Sequence, residues 1–276
     1  MSDTRLFPGQ VFIQTVLEAA ETKDTMSRRI KGPYLMRAAM AGLLIGILYV
    51  AHYQIVATFT DLGGVDLSGV GKILGAAVFG WALVFIYLTK SELLTSNMML
   101  TSVAVYHRRI TPARQFGILS LCLLGNALGG LALALMLKGS TIITGGLLEA
   151  MQHAVDVKLG YATSMLGLSD LFFRAVLCNL LINIAMLVVY NGYLKDYLAI
   201  IISMLSAVFL FVFLGLEHSV ANTVLFLMVG LQGEVAVGAA ALNVGVALLG
   251  NFVGGGVLIG FYYAFLNDPR RGRTTD

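Results

Sequence analysis

The sequence predicts an all-α membrane protein of six transmembrane helices, built as two inverted three-helix repeats whose second and fifth helices are broken. Three observations carry that prediction. First, 58% of the 276 residues are hydrophobic and only 12% charged, with a mean hydropathy of +0.86; a soluble domain cannot hide so much apolar surface. Second, about six stretches approach the roughly 20 apolar residues that span a bilayer. Third, two polar strings interrupt such stretches, Glu92-Leu93-Leu94-Thr95-Ser96-Asn97 and Glu217-His218-Ser219-Val220-Ala221-Asn222, and each precedes a glycine signature, Gly125-Asn126-Ala127-Leu128-Gly129-Gly130 or Gly250-Asn251-Phe252-Val253-Gly254-Gly255. Glu92 and Glu217 are 125 residues apart, as are Asn126 and Asn251, so the chain reads as a duplication.

Taken in order, residues 1–32 carry Arg28, Arg29 and Lys31 and lack a small-residue cleavage site, which predicts a retained cytoplasmic leader rather than a signal peptide. The first apolar stretch runs over about 34–58, the second over about 73–106 with its break at Glu92, and the third over about 115–137; they form a first repeat of about 33–138. The fourth covers about 170–190, the fifth about 197–230 with its break at Glu217, and the sixth about 240–266, giving a second repeat of about 169–267. The transmembrane domain is therefore 33–267, and residues 268–276 are a basic cytoplasmic tail.

Charge distribution orients the chain. Arg28, Arg29 and Lys31, then Arg108, Arg109 and Arg114, then Arg270, Arg271 and Arg273 fall on one side if there are six crossings. The opposite connections hold Asp61 and Asp66, Asp156 with Lys158, and Glu234, with no basic surplus. Lys and Arg collect on the cytoplasmic side, so both termini are expected there. Basic triplets beside spans serve topology and anionic lipid headgroups, not nucleic acid. Cys122 and Cys178 lie inside apolar stretches as small hydrophobes, and no disulfide, metal site or cofactor is expected.

Three crossings is an odd number, so the second copy enters from the opposite face and the two breaks meet about an axis in the membrane plane. Irregular backbone at that depth is tolerated only when buried in protein or lining a water-filled cavity, and half-helix starts there can favour an anion. Asn97 and Asn222 are expected to bond freed backbone groups, and Glu92 and Glu217 to accept from freed amides. Gly129, Gly130, Gly254 and Gly255 read as close helix packing. For Asn126 and Asn251, bracing and pore lining both fit. His218 is the ionisable group at mid-span, able to switch near neutral pH; its alternative is a core histidine satisfied by Thr95 or a carbonyl. His52 is expected at an interface, and Arg37 and Arg174 at the interface or on a carboxylate.

With Ser91 to Asn97, Gly215 to Asn222, Cys178-Asn179 and Gly250 to Gly255 in view, the whole chain resembles the formate/nitrite transporter family. The resemblance implies an aquaporin-like protomer in a homopentamer of the inner membrane, each protomer passing a small monovalent anion and its conjugate acid. It places Leu93, Leu94 and Thr95 in the loop after the first half-helix, His218 at the pore centre, and Asn179 among the supporting residues. It puts the outer constriction at Phe79 and Phe211, and the cytoplasmic one at Leu83, Leu93, Leu94 and Ile182. The vestibule lysine of the family falls on Thr163 here, with Lys158 five residues earlier, while Lys90 adds a cation near the cytoplasmic half. Lys90 also fits a snorkelling side chain at a helix end. Formate is the first expected substrate, with nitrite, hydrosulfide, lactate or acetate as alternatives. Paired Asn-Pro-Ala motifs of a neutral-solute channel are absent. Enzyme chemistry is not expected, because adjacent Glu217 and His218 do not face each other on a helix.

Overall fold

The computed structural model describes residues 6–60, 62 and 67–272; Asp61, Asp66 and Arg273, and the Arg271 side chain, lie outside the described residues. Every regular element among them is helical. In chain order these are α1 (Gln10–Arg29), α2 (Lys31–Thr60), α3 (Ser68–Phe79), α4 (Trp81–Leu88), α5 (Leu94–Tyr106), α6 (Pro112–Lys138), α7 (Gly145–Gly160), α8 (Met165–Tyr190), α9 (Tyr197–Phe213), α10 (Ser219–Gly230), α11 (Val237–Asn251) and α12 (Tyr262–Leu266). A π-helical stretch, Phe252–Phe261, joins α11 to α12.

The starts of the long helices follow from their caps. Thr111 accepts the Arg114 amide at 3.2 Å ahead of Pro112, whose missing N–H costs nothing at a first helical position. Ser164 caps α8 by accepting the Gly167 amide at 3.0 Å. Among the described residues, five helices are long and apolar enough to span a membrane: Lys31–Thr60, Ser68–Leu88, Pro112–Lys138, Met165–Tyr190 and Val237–Leu266. The fifth expected crossing is instead two shorter apolar helices, α9 and α10. With 13 residues in α5 and 12 in α10, each is about 20 Å long or less, short of the roughly 30 Å hydrocarbon core. Both are half-helices.

The glycine signatures do the packing expected of them. A Cβ on Gly129 would sit 1.7 Å from the Ala39 carbonyl oxygen, and one on Gly254 would sit 2.1 Å from that of Val176. These two positions let α6 lie on α2, and the second signature lie on α8, at backbone contact.

The repeat is longer than the apolar stretches alone predict. Helix α1 is not a loose leader: Phe12, Ile13, Val16 and Ala20 are buried, and Phe12 meets Tyr263 edge-on at 6.0 Å. Helix α7, in the connection between the repeats, holds the matching place in the second half, because Lys23 of α1 and Lys158 of α7 reach the two equivalent glutamates. The signal for α1 was a short apolar spacing at Phe12, Ile13, Val16 and Ala20, and for α7 one at Leu147, Met151 and Val155, both hidden by surrounding charge. Arg109 pairs with Glu21 at 3.4 Å and Arg114 with Asp24 at 2.7 Å, while Tyr106 bonds Asp268 at 3.2 Å. The described members of the three basic clusters thus gather at one end of the molecule.

Candidate functional site

At each break the chain leaves a helix, extends for a few residues and starts a half-helix. Leu93 before α5 (φ −106°, ψ 126°) and His218 before α10 (φ −112°, ψ 115°) have the same extended backbone and hold equivalent positions. One asparagine closes each break. Asn126 accepts the Leu94 amide at 3.1 Å and donates at 2.8 Å to the carbonyls of both Glu92 and Ala38. Asn251 accepts the Ser219 amide at 2.9 Å and donates to the Glu217 carbonyl at 3.0 Å and that of Ala175 at 2.8 Å. Both are fully buried and saturated, so of the two readings bracing is the one observed.

This corrects two expectations. Asn97 and Asn222 do not carry the freed backbone, and the glutamates do not accept from freed amides, because Asn126 and Asn251 already occupy those groups. The Glu92 carboxylate instead takes Lys23 Nζ at 2.5 Å and Asn97 Nδ2 at 3.0 Å. Glu217 takes Lys158 Nζ at 2.8 and 2.9 Å and Asn222 Nδ2 at 2.6 Å. A buried carboxylate is tolerated only when it is paired and bonded in this way.

The supports behind the triads differ. Asn97 Nδ2 also reaches Tyr34 Oη at 3.2 Å and Cys122 Sγ at 3.4 Å. Asn222 Nδ2 reaches Asn243 Oδ1 at 2.9 Å, and Asn243 Nδ2 donates to the Lys158 carbonyl at 2.8 Å. Lys23, Tyr34 and Asn243 escape a sequence reading, since each lies on an element far from the break it serves.

Between the breaks sits His218. Its Nδ1 accepts the Ala221 amide at 3.1 Å, so that nitrogen carries no hydrogen and the ring proton is on Nε2, 2.9 Å from Thr95 Oγ1. Phe211 stacks on the ring at 5.9 Å and 19°, and Phe79 meets Phe211 edge-on at 6.1 Å. A central void of about 20 Å³ is lined by Phe79, Leu83, Leu93, Ile182, Phe211 and His218, together with Ile45, Ala82, Ile86, Val208 and Ala221. The last five are missed by sequence reasoning, since nothing in an apolar run separates lining from packing. Leu94 departs from expectation: it is buried in the core and lines neither this void nor the cavities beside it. Asn179 donates to the Thr95 carbonyl at 3.2 Å and the Asn251 carbonyl at 2.7 Å, tying the two breaks together.

Larger cavities flank the void. The one at the Glu92 mouth, about 340 Å³, includes Lys23, Arg37, Tyr87, Lys90, Glu92 and Tyr190, and shares Leu83, Ile86 and Leu93 with the void. The one at the Glu217 mouth, about 730 Å³, includes His52, Lys72, Glu149, His153, Lys158, Arg174 and Glu217. His52, on the wall of this cavity, is buried against Tyr53 (4.7 Å) and Phe79 (6.3 Å). Thr163, the position counted for a vestibule lysine, bonds only the Gly160 carbonyl, while Lys158 stands on the cavity wall.

Comparison with known proteins agrees with this geometry. The family model described as "Formate/nitrite transporter" matches residues 10–265. A "Nitrite transporter NirC" of Salmonella typhimurium is 31% identical over 70% of this chain and 66% of its own. A "Formate channel FocA" of Haemophilus influenzae is 28% identical, covering 86% of this chain and 88% of its own. Among solved structures, an "FNT family ion channel" superposes with a TM-score of 0.78 at 24% identity, over 92% of this chain and 98% of its own. A "Pentameric formate channel with formate bound" gives 0.66 at 22%, over 87% and 98%. The chain belongs to the formate/nitrite transporter family: a multi-pass helical membrane channel or transporter, not an enzyme.

Proposed function

We propose that this family member passes a small monovalent weak-acid anion, formate first, across the cytoplasmic membrane through one pore per protomer of a homopentamer. The observation that carries this reading is His218, bonded at 2.9 Å to the buried Thr95, on the wall of a lumen otherwise lined by apolar side chains. A bare anion pays a large desolvation cost at such walls, whereas its conjugate acid pays far less. Thr95 Oγ1 accepts the imidazole Nε2–H and keeps its own hydrogen to offer an anion. Water supplies the proton, and His218 biases the exchange.

Adding a second ring proton at Nδ1 would set it against the Ala221 amide and break the cap of α10, so acidification acts on the half-helix itself. A lumen of about 20 Å³, near the size of a single water site, favours formate or nitrite over lactate. Hydrosulfide fits as well. Lys158 and Lys90 are the vestibule candidates on the two cavity walls, and the homopentamer is carried over from the formate-bound neighbour, itself a pentameric channel. Six crossings, with α9 and α10 acting in series, and basic residues gathered at the Glu92 end support a reading in which the Glu92 mouth and both termini face the cytoplasm.

The test is anion flux into liposomes carrying the purified chain. His218→Phe is expected to lower formate flux more than about tenfold, from loss of one hydrogen bond to a charged group. Unchanged flux in a variant that keeps its oligomeric state and melting temperature would refute the central role.

A further inference from the structure

The two mouths are built from equivalent positions, yet they are not charged alike. Glu92 N donates to the Arg37 carbonyl and Glu217 N to the Arg174 carbonyl, so Arg37 and Arg174 correspond. Arg174 is tied down: Nε bonds Asp170 at 2.9 Å and Nη1 bonds the Gly215 carbonyl at 3.0 Å. Arg37 reaches only Met26 Sδ, at 3.9 Å, and has no carboxylate partner among the described residues.

A second difference lies where each helix ends before its break. Both ends close with the same pattern, Lys90 N to Tyr87 O with Ser91 N to Ile86 O, and Gly215 N to Val212 O with Leu216 N to Phe211 O. The left-handed residue of this cap is Gly215 (φ 63°) in the second half and Lys90 (φ 55°) in the first. Glycine is the usual choice there, because a Cβ crowds the following carbonyl oxygen in that conformation. Arg108 (φ 58°) is the other such residue among those described, but it lines neither cavity. Lys90 lines the Glu92 cavity, its Nζ lying 4.7 Å from the Tyr87 ring that shares the same wall.

The charge balance of the cavities follows. At the Glu92 mouth Lys23, Arg37 and Lys90 face one carboxylate, Glu92, which Lys23 already neutralises. At the Glu217 mouth Lys72, Lys158 and Arg174 face Glu149 and Glu217, and Asp170 holds Arg174.

We propose that Arg37 and Lys90 form a holding site for a small oxyanion, a carboxylate such as formate, at the Glu92 mouth, and that the Glu217 mouth has no counterpart. The site rests on the reading of the chain as an anion pore. Being passive, it cannot tilt the equilibrium: net flux still vanishes at equal electrochemical potential. It lowers the concentration at which the Glu92 face saturates.

Right-side-out and inside-out vesicles expose the two faces of the full-length protein separately. In the parent, formate half-saturates the Glu92 face at the lower concentration. Lys90→Gly combined with Arg37→Gln raises that value about 3–10-fold, the loss of one or two charge-assisted contacts, and the Glu217 face changes less. Lys90→Gly relieves the backbone, so this variant melts no lower than Arg37→Gln alone. Conversely, Asp170→Asn loosens Arg174 and lowers half-saturation at the Glu217 face. An unchanged Glu92-face value in the folded double variant overturns the site. A separate readout needs no transport: formate should protect Lys90 from amine acylation, followed by mass spectrometry. Parent vesicles that pass no formate defeat the pore reading, while loss of that protection defeats the site.

Discussion

Set side by side, the Glu92 half and the Glu217 half share a frame and differ in what they hang on it. The same asparagine bonds, the same Lys–Glu–Asn triads and the same extended residue before each half-helix recur. On that frame Leu93 stands where His218 stands, and Val220 where Thr95 stands, so the polar pair of His218 on the lumen wall and Thr95 behind it draws one member from each half. The supports differ too, Tyr34 and Cys122 behind one triad and Asn243 behind the other. The second glycine signature opens a π-helical stretch, whereas α6 runs α-helical throughout. Duplication fixed the scaffold; chemistry came from breaking the symmetry.

An exchange puts this to its hardest test. Leu93→His with His218→Leu moves the imidazole to an equivalent backbone position, but there it faces Val220 rather than a hydroxyl. Flux is expected to stay more than about tenfold below the parent. Adding Thr95→Val and Val220→Thr, which restores the pair in mirror image, should recover part of it. Recovery by the simple exchange would mean that only the presence of an imidazole matters.

Next in size are the triads. Removing one partner of a buried pair strands the other charge, at about 3–5 kcal/mol. Glu217→Ala is expected to lower thermal stability by more than Glu92→Ala, because Lys23 (15% exposed) has easier access to water than Lys158 (10%). Equal losses would say that the two mouths are energetically alike despite their different supports.

The smallest effect lies outside the apolar spans, in a latch that ties the tail to the end of α5. Asp268 sits between Tyr106 and Arg270, and the Arg270 hydrogen bonds hold its carboxyl down at about 2. A depressed acid contributes stability above its unfolded value, near 3.8, and loses it as pH falls through about 2. Arg270 is largely exposed, so Asp268→Asn should cost less than about 1 kcal/mol. Carboxyl chemical shifts followed by NMR would place the titration; a midpoint near 4 would mean that no latch forms.

Much of the frame was legible from residue order, and the reason is physical. Apolar length reports crossing, polar strings within it report breaks that lipid forbids, and an offset of 125 residues between Glu92 and Glu217 reports duplication. His218 stood out because ionisable groups at that depth are rare. The helical bodies of α1 and α7 were not legible, since their apolar stripes are short and each reaches its break through a single lysine delivered across the fold. Nor was the lumen wall: Ile45 and Val208 line it while Leu94 does not, and the three are chemically alike in sequence. Whether a cation is neutralised or free was likewise settled in three dimensions, by Asp170 lying beside Arg174 and no carboxylate beside Arg37 among the described residues. Sequence determined the spans, the breaks and the central imidazole, because each is a local conflict between a residue and hydrocarbon. Tertiary structure alone decided lining, pairing and the imbalance of the mouths, because those depend on which surfaces of distant helices meet.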